Sequence, residues 1–349
     1  MIQSQVKLRL SVKTENLLND WLWMLTGVHN FAVKKIELDA KDGFYYTSMG
    51  FQNLLADHGK RIGIPSHTVQ GMLSQVHTAW SRCFKKIGGK PKLKGSRNKL
   101  NSIPFPDPIR LPEGNYIKLP GIGKLRFHKQ DIPTGKIKCG RIAKRASGWY
   151  LCLFIDAERQ AIQRVGNGVI GIDPGFKDLL TTSDGEKIAH PQELRLSEKR
   201  LAQAQRGINR KLVARLHERI KNRRKDRNHK LSLRLIQENS AIYFSKDNIK
   251  GIANKFGKSV SSSGHAQLRS MLEYKSRTGG THYVEVASRN STRTCSACGC
   301  LSGPKGWSGL KVRQWECVAC GTHHDRDINS AINTLIVGVG TTHEGRYVA

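Results

Sequence analysis

Four cysteines close to the C-terminus have the spacing of a metal site. Cys295 and Cys298 form one C-x-x-C pair, and Cys317 and Cys320 form a second pair about 18 residues later. Two such pairs at this separation close a tetrahedral site of thiolates, which leaves no coordination position open for a substrate. The sequence therefore predicts one structural Zn²⁺ with no chemistry at the zinc itself.

Carboxylates stand directly beside this predicted zinc site and again far upstream. Asp325 and Asp327 follow the second cysteine pair at the start of a helical pattern, and Asp173 closes the buried-strand pattern that begins at Val169. A mixed α/β arrangement of these elements would place Asp173 near the start of that helix. An isolated Asp at such a position is often a turn or helix-cap residue, so the carboxylates alone leave a catalytic and a structural role open.

The net charge indicates the class of partner. The 349 residues include 59 Lys and Arg against 27 Asp and Glu, which gives a net charge of +32. Such a charge repels itself unless a polyanion neutralises it, so the expected partner is nucleic acid. Binding to a membrane surface is disfavoured because the charge is spread through folded segments and is not confined to one tail.

Two predicted helices between residues 193 and 239 carry the densest positive charge. A basic helical face can be merely solvated, but few acids are interleaved here, which favours contacts with phosphates. A second basic segment is the glycine-punctuated loop between Lys85 and Lys99. The residues expected to contact nucleic acid are Arg206, Arg210, Lys211, Arg215, Arg219, Arg223, Arg224 and Arg227 on the helices and Lys90, Lys92 and Lys94 in the loop.

The sequence also indicates a cellular compartment. No apolar run reaches the length of a membrane span, and the N-terminal segment reads as a strand without a signal-peptide core. Four of the eight cysteines have zinc spacing, and free thiols fit a reducing compartment. We expect a cytoplasmic protein that associates with the bacterial nucleoid and has no membrane partner.

Hydrophobic periodicity predicts a multidomain α/β protein. Residues 4–12 alternate as a strand does, and apolar spacing predicts helices from Glu15 to about Asp39 and from Pro65 to about Lys86. Short strands fill residues 100–157, and strands alternate with helices beyond about residue 165. The expected domains are a small β-barrel of residues 1–12 and 100–164, a helical insertion of residues 13–99, and an α/β domain of residues 165–349 with the basic helical pair 193–239 and a zinc ribbon 291–323.

The motifs of the C-terminal half, taken in order, resemble the TnpB family of transposon-encoded RNA-guided nucleases, which are related to the type V CRISPR effectors. The similarity is strongest over residues 165 to 335, and the N-terminal half is similar in layout only. The segments that carry the resemblance are Gly171-Ile-Asp173, Leu216–Asp226, Met271–Lys275, Ser291–Gly299 and Cys320–Ala331.

This resemblance implies an RNase H-like (RuvC) nuclease domain, a wedge barrel and a helical recognition insertion. It also implies a guide RNA, a double-stranded DNA target with a short adjacent motif, and a monomer within a ribonucleoprotein. The implied catalytic acids are Asp173 and Asp325, the latter favoured over Asp327 because it stands four residues before Asn329 at the start of the helix. The family closes another strand with a catalytic Glu, and here that position is Ser245, followed by Lys246.

The serine at position 245 predicts an inactive nuclease. RNase H-like enzymes cut with two Mg²⁺ ions about 4 Å apart, which need anionic oxygen ligands. We therefore expect RNA-guided DNA binding without cleavage, no Mg²⁺ requirement for binding, and a role as a transcriptional repressor. One alternative is an active endonuclease that uses Asp247 as a substitute ligand, Glu238 being further away. Another is an accessory DNA-binding protein without a guide.

The start of the second predicted helix is the expected reader of the adjacent motif. The residues proposed for this role are Ser66, His67, Thr68 and Gln70. Polar side chains at a helix N-terminus can reach base edges and phosphates. An ordinary capped helix start would have the same composition, so this alternative stays open.

Overall fold

The computed structural model describes residues 1–191, 193–246, 254, 257, 259–287, 289–305 and 308–344. The chain divides into two compact units, Met1–Arg159 and Gln160–Ala349. Each unit has its own apolar core. Among the helices in these described residues, none is both long and apolar enough to cross a membrane.

Four helices lie in the first unit, namely α1 (Val12–Lys41), α2 (Ser48–Asn53), α3 (His58–Arg61) and α4 (Ser66–Phe84). The first and the last form where apolar spacing predicted helices. Ser11 caps α1 by accepting a hydrogen bond from the backbone N–H of Thr14, which satisfies one of the free donors at the helix start. The side chains of Leu18, Trp21 and Leu25 bury the inner face of this helix.

One six-stranded antiparallel sheet completes this unit. Its strands are β1 (Ile2–Arg9), β2 (Ser102–Phe105), β3 (Tyr116–Leu119), β4 (Gly123–Phe127), β5 (Lys136–Arg145) and β6 (Gly148–Asp156), in the order β2-β5-β6-β1-β4-β3. The order is linear, and within this fully described unit no pairing joins β2 to β3, so the sheet has two edge strands and the predicted barrel stays a prediction. The two edge strands have four residues each, and Pro104 in β2 offers no N–H for a further strand.

The second unit is built on a five-stranded sheet. Its strands are β7 (Gly168–Pro174), β8 (Asp178–Thr182), β9 (Lys187–Ala189), β10 (Asn239–Lys246) and β11 (His282–Ala287), in the order β11-β10-β7-β8-β9. The first three in that order are parallel, and β8 and β9 form an antiparallel hairpin. The predicted Asp-Gly turn joins them, with Gly185 at a φ of +94°, a conformation that glycine adopts without strain.

Helices cover both faces of this sheet. The long pair is α5 (Glu193–Arg206) and α6 (Arg210–Glu238), followed by α7 (His265–Gly279) and the C-terminal α8 (Arg326–Glu344). Apolar side chains of α6 and α7 pack on the face of the sheet that carries Ile172 and Phe244. On the opposite face, a Cβ at Gly171 would collide with the backbone of α8 at Ala331. This glycine therefore lets α8 lie directly against β7.

A small ribbon precedes α8. It consists of β12 (Gln314–Glu316) and β13 (His323–Asp325), which pair antiparallel, and a 3₁₀ turn at Ser308–Lys311 lies just before them. The cysteines lie in the turns around these short strands. Asp325 ends β13 immediately before the first residue of α8, so the ribbon runs straight into the helix that covers the sheet.

Candidate functional site: a polar row beside a four-cysteine cluster

Four polar residues align across four neighbouring strands of the second unit. Phe244 pairs with Ile172, so the next residues, Ser245 and Asp173, are neighbours. Asp173 lies opposite Thr181, and Thr181 lies opposite Lys187. Paired residues project from the same face of a sheet. We call Ser245, Asp173, Thr181 and Lys187 the polar row.

The polar row faces α8. Side chains alternate along a strand, and Gly171, two residues before Asp173, is the position that α8 approaches most closely. The hydroxyl of Ser330 on α8 donates to Asp173 Oδ1 at 3.0 Å. Ser330 Oγ also lies 3.0 Å from Ser291 Oγ, and Ser330 is fully buried. The predicted proximity of Asp173 to the start of α8 is therefore present in the fold.

Asp325 has both carboxylate oxygens engaged. Oδ1 accepts hydrogen bonds from the backbone N–H groups of Asp327 and Ile328, each at 3.1 Å, and so caps α8. Oδ2 accepts from Lys187 Nζ at 2.6 Å. Burial alone would raise the pKa of Asp325, but the ammonium and the two backbone donors outweigh it and lower the pKa. A cation from the polar row thus holds this carboxylate in its charged form.

Ser245 is buried at the end of β10 next to Asp173. It is 1% exposed, and its hydroxyl has no hydrogen-bond partner among the residues that the structure describes. Two cations lie on the other face of the strand end, where Lys246 Nζ and Arg269 Nη1 approach the carboxylate of Glu285 at 3.6 and 3.5 Å. The position therefore has a neutral, short side chain beside Asp173, and the two nearby cations pair with Glu285.

Of the two acids considered as replacements for a missing ligand, the structure describes only Glu238, and this residue lies away from the polar row. Glu238 ends α6 directly before β10, seven residues from Ser245, which corresponds to about 23 Å along a strand. Glu238 could therefore serve as a metal ligand beside Asp173 only if β10 rearranged. Asp247 lies outside the described residues.

The described residues of the polar row do not fit a pair of Mg²⁺ ions. Mg²⁺ prefers octahedral sites of anionic oxygens, and the row itself contains one carboxylate, Asp173. The second carboxylate, Asp325, is held by the ammonium of Lys187. The orphan hydroxyl of Ser245 is neutral and cannot replace a glutamate in charge or in reach. We therefore derive no cleavage step through this site.

The four cysteines form a compact cluster, which we call the cysteine cluster. Their Sγ atoms all lie within 4.8 Å of one another, with 3.7 Å between Cys295 and Cys320 and 3.6 Å between Cys298 and Cys317. A tetrahedron with metal–sulfur bonds of about 2.3 Å has sulfur–sulfur edges of about 3.8 Å. The Ser302 hydroxyl donates to Cys317 Sγ at 3.1 Å. The geometry and the donors fit one tetrahedral metal ion.

Two asparagines on α8 attach the ribbon to the helix. The side-chain amides of Asn329 and Asn333 both donate to the carbonyl oxygens of Ser291 and Thr294. Asn329 Oδ1 also accepts from the backbone N–H of Ser296 at 2.9 Å, inside the first C-x-x-C pair. Both asparagines are buried. Nothing in the spacing of Asn329 or Asn333 along the sequence reveals these partners.

Most of the predicted basic residues of α5 and α6 are exposed. The exposed ones are Arg206, Arg210, Lys211, Arg215, Arg219 and Arg223. Two others have structural contacts and are only partly exposed. Arg227 pairs with the buried carboxylate of Glu193 at 3.0 Å, and its guanidinium donates to the carbonyl of Ser263 at 2.7 Å. Arg224 donates to the carbonyl of Ser261. The helical charge therefore includes a solvent-facing part and a part that holds α6 to the segment before α7.

The predicted motif readers lie at the start of α4 in the first unit. His67 is exposed and its Nδ1 lies 2.5 Å from Asp107 Oδ2, whereas Ser66 and Gln70 are half-buried. Thr68 is 1% exposed, so its side chain is closed to a base edge in this structure. No side chain caps α4, since its N-cap residue is Pro65. A cleft of about 700 Å³ opens beside His67.

The predicted basic loop of the first unit is tied to α1. Lys90 pairs with Glu37 at 2.6 Å, and the backbone N–H of Lys94 donates to Asn30 Oδ1 at 2.7 Å. Lys92 is exposed. The loop therefore has a fixed course beside the helix, and its contacts with nucleic acid stay a prediction.

Comparison with known proteins identifies relatives of both sequence and fold. Residues 265–334 match the family described as "Cas12f1-like, TNB domain", and residues 154–255 match the family described as "Probable transposase". A protein of Streptomyces pristinaespiralis named "Putative RNA-guided DNA endonuclease" is 35% identical over 301 residues, which cover 80% of this chain and 73% of that protein. A "TnpB-like protein" of Acanthamoeba polyphaga mimivirus is 29% identical over 202 residues, or 48% of this chain and 37% of that one.

A solved structure has a similar fold. The protein in a cryo-EM structure of a Cas12f1–sgRNA–target DNA complex aligns with a TM-score of 0.58 over 93% of this chain and 83% of that one. The sequences are 14% identical, so this likeness concerns the α/β fold alone. Taken with 35% identity to the Streptomyces protein over four-fifths of the chain, it leads to one conclusion: the chain belongs to the TnpB family.

Proposed function

We propose that this protein is an RNA-guided, sequence-specific DNA-binding protein whose RuvC-like nuclease does not cut, and that it acts as a transcriptional repressor by occupying a promoter. The observation that carries the proposal is the polar row. Ser245 stands beside Asp173 where the family resemblance implies a glutamate. The remaining acid, Asp325, is bound to Lys187 at 2.6 Å.

The chemistry of the polar row supports binding without cleavage. Two-metal hydrolysis requires that the ions stabilise both the attacking and the leaving oxygen of one phosphate. The ammonium of Lys187 supplies one positive charge at a fixed place and cannot substitute for two mobile divalent ions. With Asp325 held by this ammonium, the negative charge of the site is partly neutralised within the protein. Association with DNA then needs no Mg²⁺.

The partners in this proposal are a guide RNA and a double-stranded DNA target with a short adjacent motif. The names of relatives include RNA-guided DNA endonucleases, and the similar solved structure contains a guide RNA and target DNA. The net charge of +32 suits a monomer that holds both nucleic acids. The six-stranded sheet would serve as the wedge, α1 to α4 as the recognition insertion with the motif readers, and α5 and α6 as phosphate-contacting helices.

An active RNA-guided endonuclease is the second candidate. It is favoured by the names of the relatives, which refer to endonucleases. In this case Asp247 would take the place of the missing glutamate. Repression and cleavage both require guided binding, so the two candidates differ only in what happens to bound DNA.

The test is to incubate the guided complex with matched target DNA in the presence of Mg²⁺. We expect guide-dependent binding and uncut DNA, and the same binding by an Asp173→Ala variant. Cleavage by the natural protein that is lost in Asp247→Ala would establish the second candidate. Equal target selectivity with and without RNA would instead support an accessory DNA-binding protein.

We also propose that the cysteine cluster binds structural Zn²⁺. Four thiolate donors at tetrahedral separations form a closed site of the zinc type. Metal analysis of the purified protein should find one zinc per chain, and Cys317→Ser should lose the metal and the fold of the ribbon. A folded ribbon in that variant, or protein without stoichiometric zinc, would contradict the assignment.

A further inference from the structure

A cluster of aromatic side chains in the first unit forms a pocket that none of the roles above uses. The pocket has a volume of about 230 Å³ and is lined by the segment before α2 and by the C-terminal half of α4. Three of its aromatic side chains are exposed: Phe44 by 57%, Tyr45 by 64% and Phe84 by 44%. We call this the aromatic pocket. Large exposed aromatic groups gathered in one place usually mark a binding surface.

The aromatic pocket has a fixed framework beneath its exposed rings. Phe84 stacks on the buried ring of Trp80 with centroids 5.3 Å apart and an angle of 26°. Tyr45 meets Phe84 edge-on at 5.4 Å and 87°. Tyr46 bonds to Asp39 through its hydroxyl, and its carbonyl lies 2.9 Å from the Nε2 atom of His77. A flat ligand can therefore stack on an exposed face of a ring that is already in place.

One buried polar atom of the pocket lacks a partner. Trp80 is 5% exposed and lines the pocket, and its Nε1–H has no hydrogen-bond partner in this fully described unit. An indole N–H can only donate, and a buried donor without an acceptor is unfavourable by about 1–3 kcal/mol. A ligand that satisfies it must combine a flat apolar face with a hydrogen-bond acceptor.

The charge around the aromatic pocket selects among such ligands. Lys85 lines the pocket, and none of the lining residues is acidic within a unit that the structure describes throughout. Lys86, Lys90 and Lys92 follow in the basic loop. A flat group with acceptor atoms on an anionic chain is a nucleobase of a nucleic acid. The volume is below that of drug-sized sites, roughly 300–1,000 Å³, so the pocket suits a single base.

We propose that the aromatic pocket binds one unpaired nucleobase of the RNA partner, stacked on an exposed ring face of Tyr45 or Phe84 and presenting an acceptor atom to the Trp80 N–H. A base of the RNA is preferred to a base of a displaced DNA strand, because the RNA is bound from assembly of the ribonucleoprotein onward. It would therefore shield the exposed aromatic rings from solvent before any DNA binds. Proteins recognise RNA mainly through unpaired bases stacked on aromatic side chains. The inference rests on the proposed function only in naming RNA as the partner.

The first experiment measures binding of a short labelled oligouridylate to the full-length protein. The double variant Tyr45→Ala/Phe84→Ala should bind it about five- to a hundredfold more weakly, which is the range for loss of one stacked base. Both side chains are exposed, so the fold should be unaffected. No charge is removed, so the dependence of binding on salt should keep its slope. Trp80→Phe, which removes only the N–H, should give a smaller loss.

A matched control is available on α1. Trp23 and Phe31 are exposed by 80% and 45% and do not line the pocket. Trp23→Ala/Phe31→Ala removes two exposed aromatic groups of the same unit and should leave oligouridylate binding unchanged. An equal loss in both double variants would overturn the proposal, as would unchanged binding in the pocket variant. A change in self-association without a change in RNA binding would identify the occupant as a second copy of the chain.

A second experiment uses the natural protein with RNA that contains 4-thiouridine. Irradiation of the ribonucleoprotein before DNA is added should crosslink RNA to peptides containing Tyr45 or Phe84. Crosslinks of the RNA to other peptides of the protein, with none to peptides containing Tyr45 or Phe84, would overturn the assignment. Neither readout needs a matched target, so failure of guided DNA binding would refute the proposed function and leave the aromatic pocket supported.

Discussion

Lys187→Met should convert the polar row into a site with measurable affinity for a divalent ion. The ammonium lies 2.6 Å from Asp325 Oδ2, and a Mg²⁺ or Mn²⁺ ion binds a carboxylate oxygen at about 2.1 Å. The two cations would then be at most about 4.7 Å apart. At the dielectric constant of water this repulsion is about 1.8 kcal/mol, or about twentyfold in affinity. Screening at physiological salt reduces it to about fivefold.

The assay is titration of the purified protein with Mn²⁺, followed by the electron paramagnetic resonance signal of the free ion. We expect Lys187→Met to bind Mn²⁺ at least about fivefold more tightly than the natural protein. Arg313→Met is the matched control, because Arg313 pairs with Asp327 at 3.1 Å beside the same helix start but off the polar row. Equal gains in the two variants would mean that only net charge matters. An unchanged affinity in folded Lys187→Met would refute the role given to this ammonium.

Three further predictions concern the second unit. Asn329→Ala should weaken zinc retention in urea more than Asn333→Ala, because it also leaves the backbone N–H of Ser296 without its acceptor. The double variant should reduce the free energy of unfolding by about 1–2 kcal/mol more than the sum of the two single variants, since the carbonyls of Ser291 and Thr294 then have neither donor. Additive losses would contradict the idea that the two asparagines hold the same carbonyls. Arg219→Glu and Arg223→Glu should lower the affinity for non-specific DNA, and the dependence of that affinity on salt, without destabilising the fold. Arg227→Ala should instead destabilise the second unit by about 3–5 kcal/mol, because it leaves Glu193 buried and unpaired. Filter binding and thermal melting test both, and a lower melting temperature for the Arg219 and Arg223 variants with no change for Arg227→Ala would contradict the prediction. Burial lowers the pKa of His265 to about 4, below its unfolded value of about 6.5. The contribution of this histidine to the free energy of unfolding should therefore be fully present above about pH 6.5 and fall by up to about 3 kcal/mol as the pH drops towards 4. His265→Gln should flatten this pH profile of stability, and the same substitution at the exposed His282 should leave it unchanged.

Local patterns sufficed to predict the elements that repeat an apolar spacing. The helices α1 and α4 and the strand that ends in Asp173 lie where periodicity indicated them. The helices α2 and α3 were missed because six and four residues are too few to show a period. The barrel stays a prediction, because strand spacing does not reveal which edges pair, and the proline in β2 offers no N–H to a further strand.

The site was predictable only in part, for a similar reason. Cysteine spacing placed four thiols together, since close pairs fix their own geometry. The contact of Lys187 with Asp325 joins residues 138 positions apart and depends on the register of two strand pairs, which no local pattern specifies. The aromatic pocket was likewise invisible, because Tyr45 and Phe84 belong to different elements. Arg224 and Arg227 were counted with the exposed charges because composition does not show which face of α6 is buried.

The buried serine at the end of β10 also changes what the protein requires from the cell. A glutamate at this depth would carry its charge at little cost only while a metal ion neutralised it. Without the ion, burial would raise its pKa or weaken the fold by several kcal/mol. Ser245, which is neutral and 1% exposed, removes that dependence. Under the proposed function, the folded population and the time spent on a DNA target would then be insensitive to the supply of magnesium, a property that suits steady occupancy of a promoter better than a single act of cutting.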